Sequence, residues 1–333
     1  MSISKARPDI DSQKVALPKP DRRKKFKTKV DKHIQRLFSE DIEFLKENHR
    51  VAYGMMSQVY KISLDGISYA VKVKGVHAIK SPIRYVLGTF INNVLWNEHM
   101  GYSNVSVTRR FNLEKKVRKM WQENGYKTTK EHPTSFQNVQ ILDWVEGNNL
   151  DQVFDKPIPV QKREKTYSLQ HILDSDNLYN DEKLFAMDYV SQDLNYRQKY
   201  ALGKDNPLLM PLDPNPSNVI LVKDGDPLWL DSDVYIGKKT SPRKAARICT
   251  RRYLNSLISH IGLLEEEEAD QIVKRACIFM DKDTLRAIVR VYDSRKSLIR
   301  AKEMLRNNIL QKDNPPYRQV MQKVPEMIKT YLA

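Results

Sequence analysis

Asp213-Pro-Asn-Pro-Ser-Asn218, followed thirteen residues later by Asp231 within Leu230-Asp231-Ser232-Asp233, is the stretch that decides how this chain reads. Prolines at 214 and 216 restrict the backbone to a tight loop and keep it out of helix or sheet. Such a loop can hold a carboxylate at one end and a carboxamide at its exit. Both groups offer hard oxygens to a divalent cation, and a fixed carboxylate can orient a hydroxyl and take its proton. Val219-Ile-Leu-Val reads as a buried strand, Asp224-Gly225-Asp226 as a hairpin turn and Leu228-Trp-Leu as the returning strand. That hairpin brings Asp231 back beside Asn218, so the two can serve one cation.

Upstream, Tyr69-Ala70-Val71-Lys72 reads as a strand ending in a lysine, with Lys74 on the same face because strand side chains alternate. Before it lies Gly54-Met-Met-Ser57-Gln-Val59-Tyr60, then Lys-Ile-Ser-Leu and a turn at Asp65-Gly66. A small-residue turn between strands lets backbone N–H groups approach phosphate oxygens. Arg109 to Asn124 predicts a helix, with Leu113, Val117, Met120 and Trp121 at helical spacing and Gly125 as its stop. Glu114 borders this apolar stripe and can face inward; Glu98 is the alternative acid. Val139 to Gly147 reads as a strand running into a Glu146-Gly147 turn.

In this order the motifs resemble the protein-kinase-like superfamily in its atypical branches. Gly-x-x-Ser-x-Val-Tyr is similar to the phosphate loop of RIO-type kinases. Asp-x-x-Pro-x-Asn resembles the catalytic loop of aminoglycoside phosphotransferases and lipopolysaccharide core kinases, and Leu-Asp-x-Asp their metal-binding segment. The basic stretch from Lys80 to Phe90 is similar to an insertion in lipopolysaccharide core kinases. The resemblance spans roughly residues 50 to 235. It implies an ATP- and Mg2+-dependent kinase in which Lys72 contacts the nucleotide phosphates and is held by Glu114. Asp213 would be the catalytic base, and Asn218 and Asp231 the metal ligands. Gly54, Ser57 and Val59 would line the nucleotide, with Glu146 at the linker between lobes. Three departures stand out. Pro211 occupies the position two before the catalytic Asp where His or Tyr is usual. Only Gly54 remains of a glycine loop, and Ser232-Asp233 replaces Phe-Gly.

Strands first and helices after predict an α+β fold with two lobes. Residues 1–30 read as a basic flexible tail, with Arg22-Arg-Lys-Lys25 and few apolar positions. Residues 31–147 read as a β-rich N-lobe led by an amphipathic helix at 34–47, and 148–333 as a mainly helical C-lobe. In that lobe Ser241-Pro242 caps one helix; Glu265–Met280, Asp283 to about Leu310 and a last helix after Pro315-Pro316 follow.

The polar N-terminus and the lack of an 18-residue apolar run point to a cytoplasmic enzyme. Two cysteines without metal-ligand spacing point to a reducing compartment. A net charge of +16 favours an anionic partner. The expected acceptor is a sugar hydroxyl of an anionic envelope glycolipid, as for a lipopolysaccharide core kinase. The short segment from Val234 to about Thr240 leaves little platform for a peptide. Residues 78–97, which mix Lys80 and Arg84 with Tyr85, Phe90 and Trp96, suit either core packing, the commoner use of such a stripe, or peripheral contact with the inner membrane face. RNA is the less favoured partner, since no aromatic RNP-like strand or Gly-x-x-Gly clamp is present. A RIO-like protein serine/threonine kinase is the alternative, and a pseudokinase or basic adaptor the second.

Overall fold

The computed structural model describes residues 32, 36, 50–53, 57–74, 107–136, 139–149, 181–211, 213–222, 227–230, 240–261, 266–310 and 316–333. The expected helix at 34–47, apart from one isolated position, and the stretch at 78–97 lie outside them, as do Gly54 and Asp231. The described chain forms a small antiparallel-sheet unit and a larger, mainly helical one, the α+β order that strands first and helices after predict.

The sheet unit is built from β1 (Arg50–Tyr53), β2 (Ser57–Leu64), β3 (Ile67–Lys74), β4 (Glu131–His132) and β5 (Val139–Asp143), in the order β1-β2-β3-β5-β4. The β2–β3 turn sets its register. Asp65 and Gly66 have φ of 52° and 78°, the left-handed pair that a two-residue hairpin turn requires, and Leu64 pairs with Ile67. Every side chain then has an assigned face. One face packs Tyr60, Ile62, Tyr69, Val71, Val73, Val139 and Ile141 with Phe136 into an apolar cluster. The other carries Val59, Lys61, Ala70, Lys72, Gln140 and Leu142.

The second unit holds most of α1 (Val107–Glu123), from Asn112 onward. It also holds β6 (Asn148–Asn149), α2 (Asp181–Gly203), β7 (Val219–Leu221), β8 (Leu228–Trp229), α3 (Pro242–Ile261), α4 (Glu266–Ile278), α5 (Lys282–Leu310) and α6 (Pro316–Leu332). Strands β6, β7 and β8 form a separate three-stranded antiparallel sheet. Helix α1 stops where Gly125 takes φ 82°: the Tyr126 N–H reaches the Trp121 carbonyl and the Gly125 N–H the Gln122 carbonyl, a glycine-closed C-terminus. Ser241 Oγ accepts from the Lys244 N–H at the head of α3.

The core of this unit joins Val117 and Trp121 of α1 to Met187, Val190 and Leu194 of α2. It continues through Leu254, Leu257 and Ile258 of α3 to Ile272 and Val273 of α4 and Val324 and Ile328 of α6. Each such side chain contributes about 1.5–3 kcal/mol by leaving water. Helix α2 was not foreseen from sequence. Among the described residues no helix is long and apolar enough to cross a membrane.

Cys249 and Cys277 sit in this core, and burial pushes both thiols up to about 12. An unfolded thiol titrates near 8.5. Between those values the native state keeps protons that the unfolded state releases. Stability is therefore intact below about pH 8.5 and falls as pH rises toward 12, by about 1.4 kcal/mol per thiol per pH unit. The urea midpoint is expected to stay flat from pH 7 to 8.5 and drop beyond pH 9, less steeply in Cys249→Ser with Cys277→Ser. A flat midpoint up to pH 11 would contradict this burial.

Candidate active site

The loop after α2 has no ladder of its own and is fixed by individual hydrogen bonds. Asn206 caps a short 3-10 turn at Pro207–Leu209 through its side-chain oxygen and the Leu208 N–H. The Leu208 carbonyl in turn accepts from the Trp121 indole of α1 at 2.8 Å. Three residues on, the Pro211 carbonyl accepts from the buried Cys249 thiol of α3 at 2.8 Å. Pro211 is thus held through its backbone carbonyl. Nearness to the Asp213 carboxylate adds to the burial that keeps this thiol protonated.

Asp213 is half-buried at the start of the turn. Its carbonyl accepts from the Asn215 N–H at 2.8 Å, and the Asn218 N–H reaches the Asn215 carbonyl at 2.8 Å. The Asn218 carboxamide N–H group turns back on the Asp213 carbonyl and on its carboxylate Oδ2, at 3.2 and 3.3 Å. Acid and amide are therefore adjacent. Because the side-chain nitrogen faces Asp213, the Asn218 side-chain Oδ1 is the atom that could serve a cation, and a hard oxygen there fits a divalent metal.

Downstream, Val219 pairs with Trp229 and Ile220 with Leu228, so the expected hairpin is present. The Leu230 N–H donates to the Asn218 carbonyl at 2.8 Å. Leu230 precedes Asp231, which lies outside the described residues. From the far side, the Trp229 indole donates to Asp193 Oδ2 of α2 at 2.7 Å. Asp193 also accepts from Arg197 at 2.8 Å, and the Arg197 guanidinium stacks on Tyr126 at 4.1 Å. The hairpin is thus tied to α2.

The other predicted residues occupy definite places. Glu114 is fully buried on α1, one turn before Val117 and two before Trp121. Glu146 is exposed between β5 and β6. On the sheet unit, Lys72 is half-buried in β3 with Val59 opposite it on β2 and Gln140 opposite it on β5. Ser57 pairs with Lys74. Gln140 was not singled out from sequence; its one signal is an amide inside an otherwise apolar strand, Val139-Gln-Ile-Leu.

No family model and no curated protein sequence matches the chain. Among solved structures it is similar to WaaP in complex with acyl carrier protein, at 13% identity and a TM-score of 0.36, covering 81% of this chain and 94% of that one. An apo pseudokinase is similar at 14% identity and a TM-score of 0.34, covering 85% of this chain and 88% of that one.

Gly147 shows how closely β6 approaches the loop's exit strand. A Cβ there would lie 2.5 Å from Ile220 Cγ2 and 2.7 Å from the Leu221 carbonyl oxygen. Backbone cannot yield as a side chain can, so Gly147→Ala is expected to push β6 off β7 at a cost of about 1–3 kcal/mol. A lowered thermal midpoint checks this. An unchanged midpoint would show that β6 moves freely.

Proposed function

We propose that the protein is an ATP- and Mg2+-dependent kinase that moves the γ-phosphoryl group of ATP to an alcohol, most specifically a sugar hydroxyl of an anionic envelope glycolipid. The observation that carries the phosphotransfer reading is the Asp213–Asn218 pair: a half-buried acid and an amide held together on a rigid loop, with the next hairpin returning Leu230 to the same amide residue. That arrangement is what an acceptor hydroxyl and a metal-bound triphosphate require.

In this reading Asp213 accepts the acceptor's proton and aligns its oxygen for in-line attack. Asn218 and Asp231 would hold magnesium, which would supply charge neutralisation to the phosphates. Lys72 binds phosphate oxygens through its ammonium, and Glu114 and the Gly54–Val59 loop, with Ser57, support the nucleotide. Glu146 lies near the nucleotide as part of the linker. The glycolipid acceptor is supported by the net charge of +16, which would draw the enzyme to an anionic surface on the cytoplasmic side of the inner membrane. Offering purified protein and radiolabelled ATP to envelope glycolipid, to total protein and to RNA in separate reactions tests the acceptor. Label in glycolipid supports the reading, and label in protein alone replaces it with a RIO-like protein kinase. No label anywhere marks a pseudokinase.

Two sets of variants test the roles. Asp213→Ala is expected to abolish turnover with little change in ATP·Mg affinity by calorimetry, because this carboxylate addresses the acceptor. Asp231→Asn should lower phosphotransfer on the order of a hundredfold with folding kept. Loss of ATP binding in Asp213→Ala, or normal turnover in Asp231→Asn, would reassign those residues.

Lys72→Ala should weaken nucleotide binding far more than Lys74→Ala, and Glu114→Lys should weaken it as Lys72→Ala does. Equal defects from the two lysines, with Glu114→Lys silent, would shift the register.

A further inference from the structure

Gln140 stands directly across the sheet from Lys72, with Lys72 paired to Gln140 on one side and to Val59 on the other. Residues opposite one another in an antiparallel pair share a face, with Cβ atoms about 4.5–5.5 Å apart. The Gln140 side chain is fully buried, and among the described residues neither its Nε2 nor its Oε1 has a hydrogen-bond partner. Leaving a buried amide unmet is costly, since each group has given up its hydrogen bonds to water without replacement. The opposite face of the same sheet shows the ordinary solution, an unbroken apolar cluster. A methionine or leucine at 140 would fold at lower cost, so the amide calls for a partner brought by a ligand.

The chemistry of the two unmet atoms defines that partner. Oε1 needs a donor, and an ammonium has only donors. Nε2 needs an acceptor, which no lysine can supply and a phosphate oxygen can. We propose that Gln140 completes the phosphate-binding site of Lys72: its Oε1 accepts from the Lys72 ammonium while its Nε2 donates to a phosphate oxygen of the bound nucleoside triphosphate. Gln140 is then a nucleotide-contacting residue that also fixes the direction of the lysine. The inference rests on Lys72 binding the nucleotide, as proposed above.

The test measures ATP·Mg affinity by calorimetry and the nucleotide-free melting temperature of wild type, Gln140→Met, Gln140→Glu, Lys72→Ala and Lys72→Ala with Gln140→Met. Gln140→Met keeps the shape and removes the amide. It should raise the melting temperature of the nucleotide-free protein by about 2–4 °C while weakening ATP·Mg binding about tenfold. Gln140→Glu keeps an acceptor for the lysine but places a negative charge by the phosphates, and should also weaken binding.

In the Lys72→Ala background the Gln140→Met change should cost less than it does alone, since the two groups act on one phosphate site. A Gln140→Met protein that melts lower and binds ATP·Mg normally would overturn the proposal and leave Gln140 as packing. Should Lys72→Ala itself bind as well as wild type, the reading of Lys72 falls, and this inference with it. If Lys72→Ala loses affinity and both Gln140 variants keep it, only the inference falls.

Discussion

The loop from Leu208 to Asn218 is held without a ladder of hydrogen bonds, through backbone carbonyls claimed one by one by individual donors. Between Leu208 and Asn218 the carbonyls of Leu208, Pro211, Asp213, Asn215 and Asn218 accept in turn from an indole, a thiol, an amide, a backbone N–H and the returning hairpin. Three prolines, at 211, 214 and 216, remove donors from the same stretch, which leaves carbonyls as the groups that most need partners. Asn218 of the loop itself supplies two of these donors and α1, α3 and the hairpin supply the others, so the position of Asp213 is set by the loop together with the packing of the helical unit. A substitution far from the loop in sequence, at Trp121 or Cys249, acts on it through one bond.

Helix α2 ties this arrangement together and explains why part of it was hidden in the sequence. Its inward stripe is Met187, Val190, Ser191, Leu194, Arg197, Gln198 and Ala201. Three of these seven are polar, and each has a partner: Ser191 in the Tyr253 hydroxyl, Gln198 in Thr250, and the Arg197 Nε in Asp193. A helical period of apolar residues is the signal that sequence reading depends on, and polar residues in the stripe break it. Helix α1 was readable for the opposite reason. Its stripe of Leu113, Val117, Met120 and Trp121 is apolar throughout and Gly125 marks its end.

The same contrast runs through the sheet. Asp65-Gly66 was legible as a turn because only a pair tolerant of positive φ can close a two-residue hairpin. Once it is placed, alternation puts Lys72 and Lys74 on one face, which is why periodicity could not rank them. The pairing with β5 distinguishes them, since Lys72 has Gln140 opposite it and Lys74 lies beyond the last paired residue, Val73. Register across strands distant in sequence cannot be read from either strand alone, so Gln140 passed as an interruption in a buried strand. The Asp213–Asn218 loop was legible because its contacts are local, five residues apart. Its anchor at Cys249 was not, because a thiol donor to a carbonyl leaves no pattern along the chain.

Net charge, the other prominent sequence feature, looks different once burial is known. Arg118, Arg197, Arg247 and Arg251 are all buried in the helical unit. A guanidinium keeps its charge even there, and Arg197 is neutralised on the spot by Asp193 and covered by the faces of Tyr126 and Trp121. Charge spent in this way builds structure and projects little field into solvent. The attraction available for an anionic partner comes instead from exposed lysines such as Lys115, Lys116, Lys119, Lys127 and Lys130, which run along and just beyond α1. Salt screens such charges within about 8 Å at physiological ionic strength, so they govern encounter with a surface and not the choice of hydroxyl. In the proposed reading, selection of the acceptor rests on what surrounds Asp213 at contact distance.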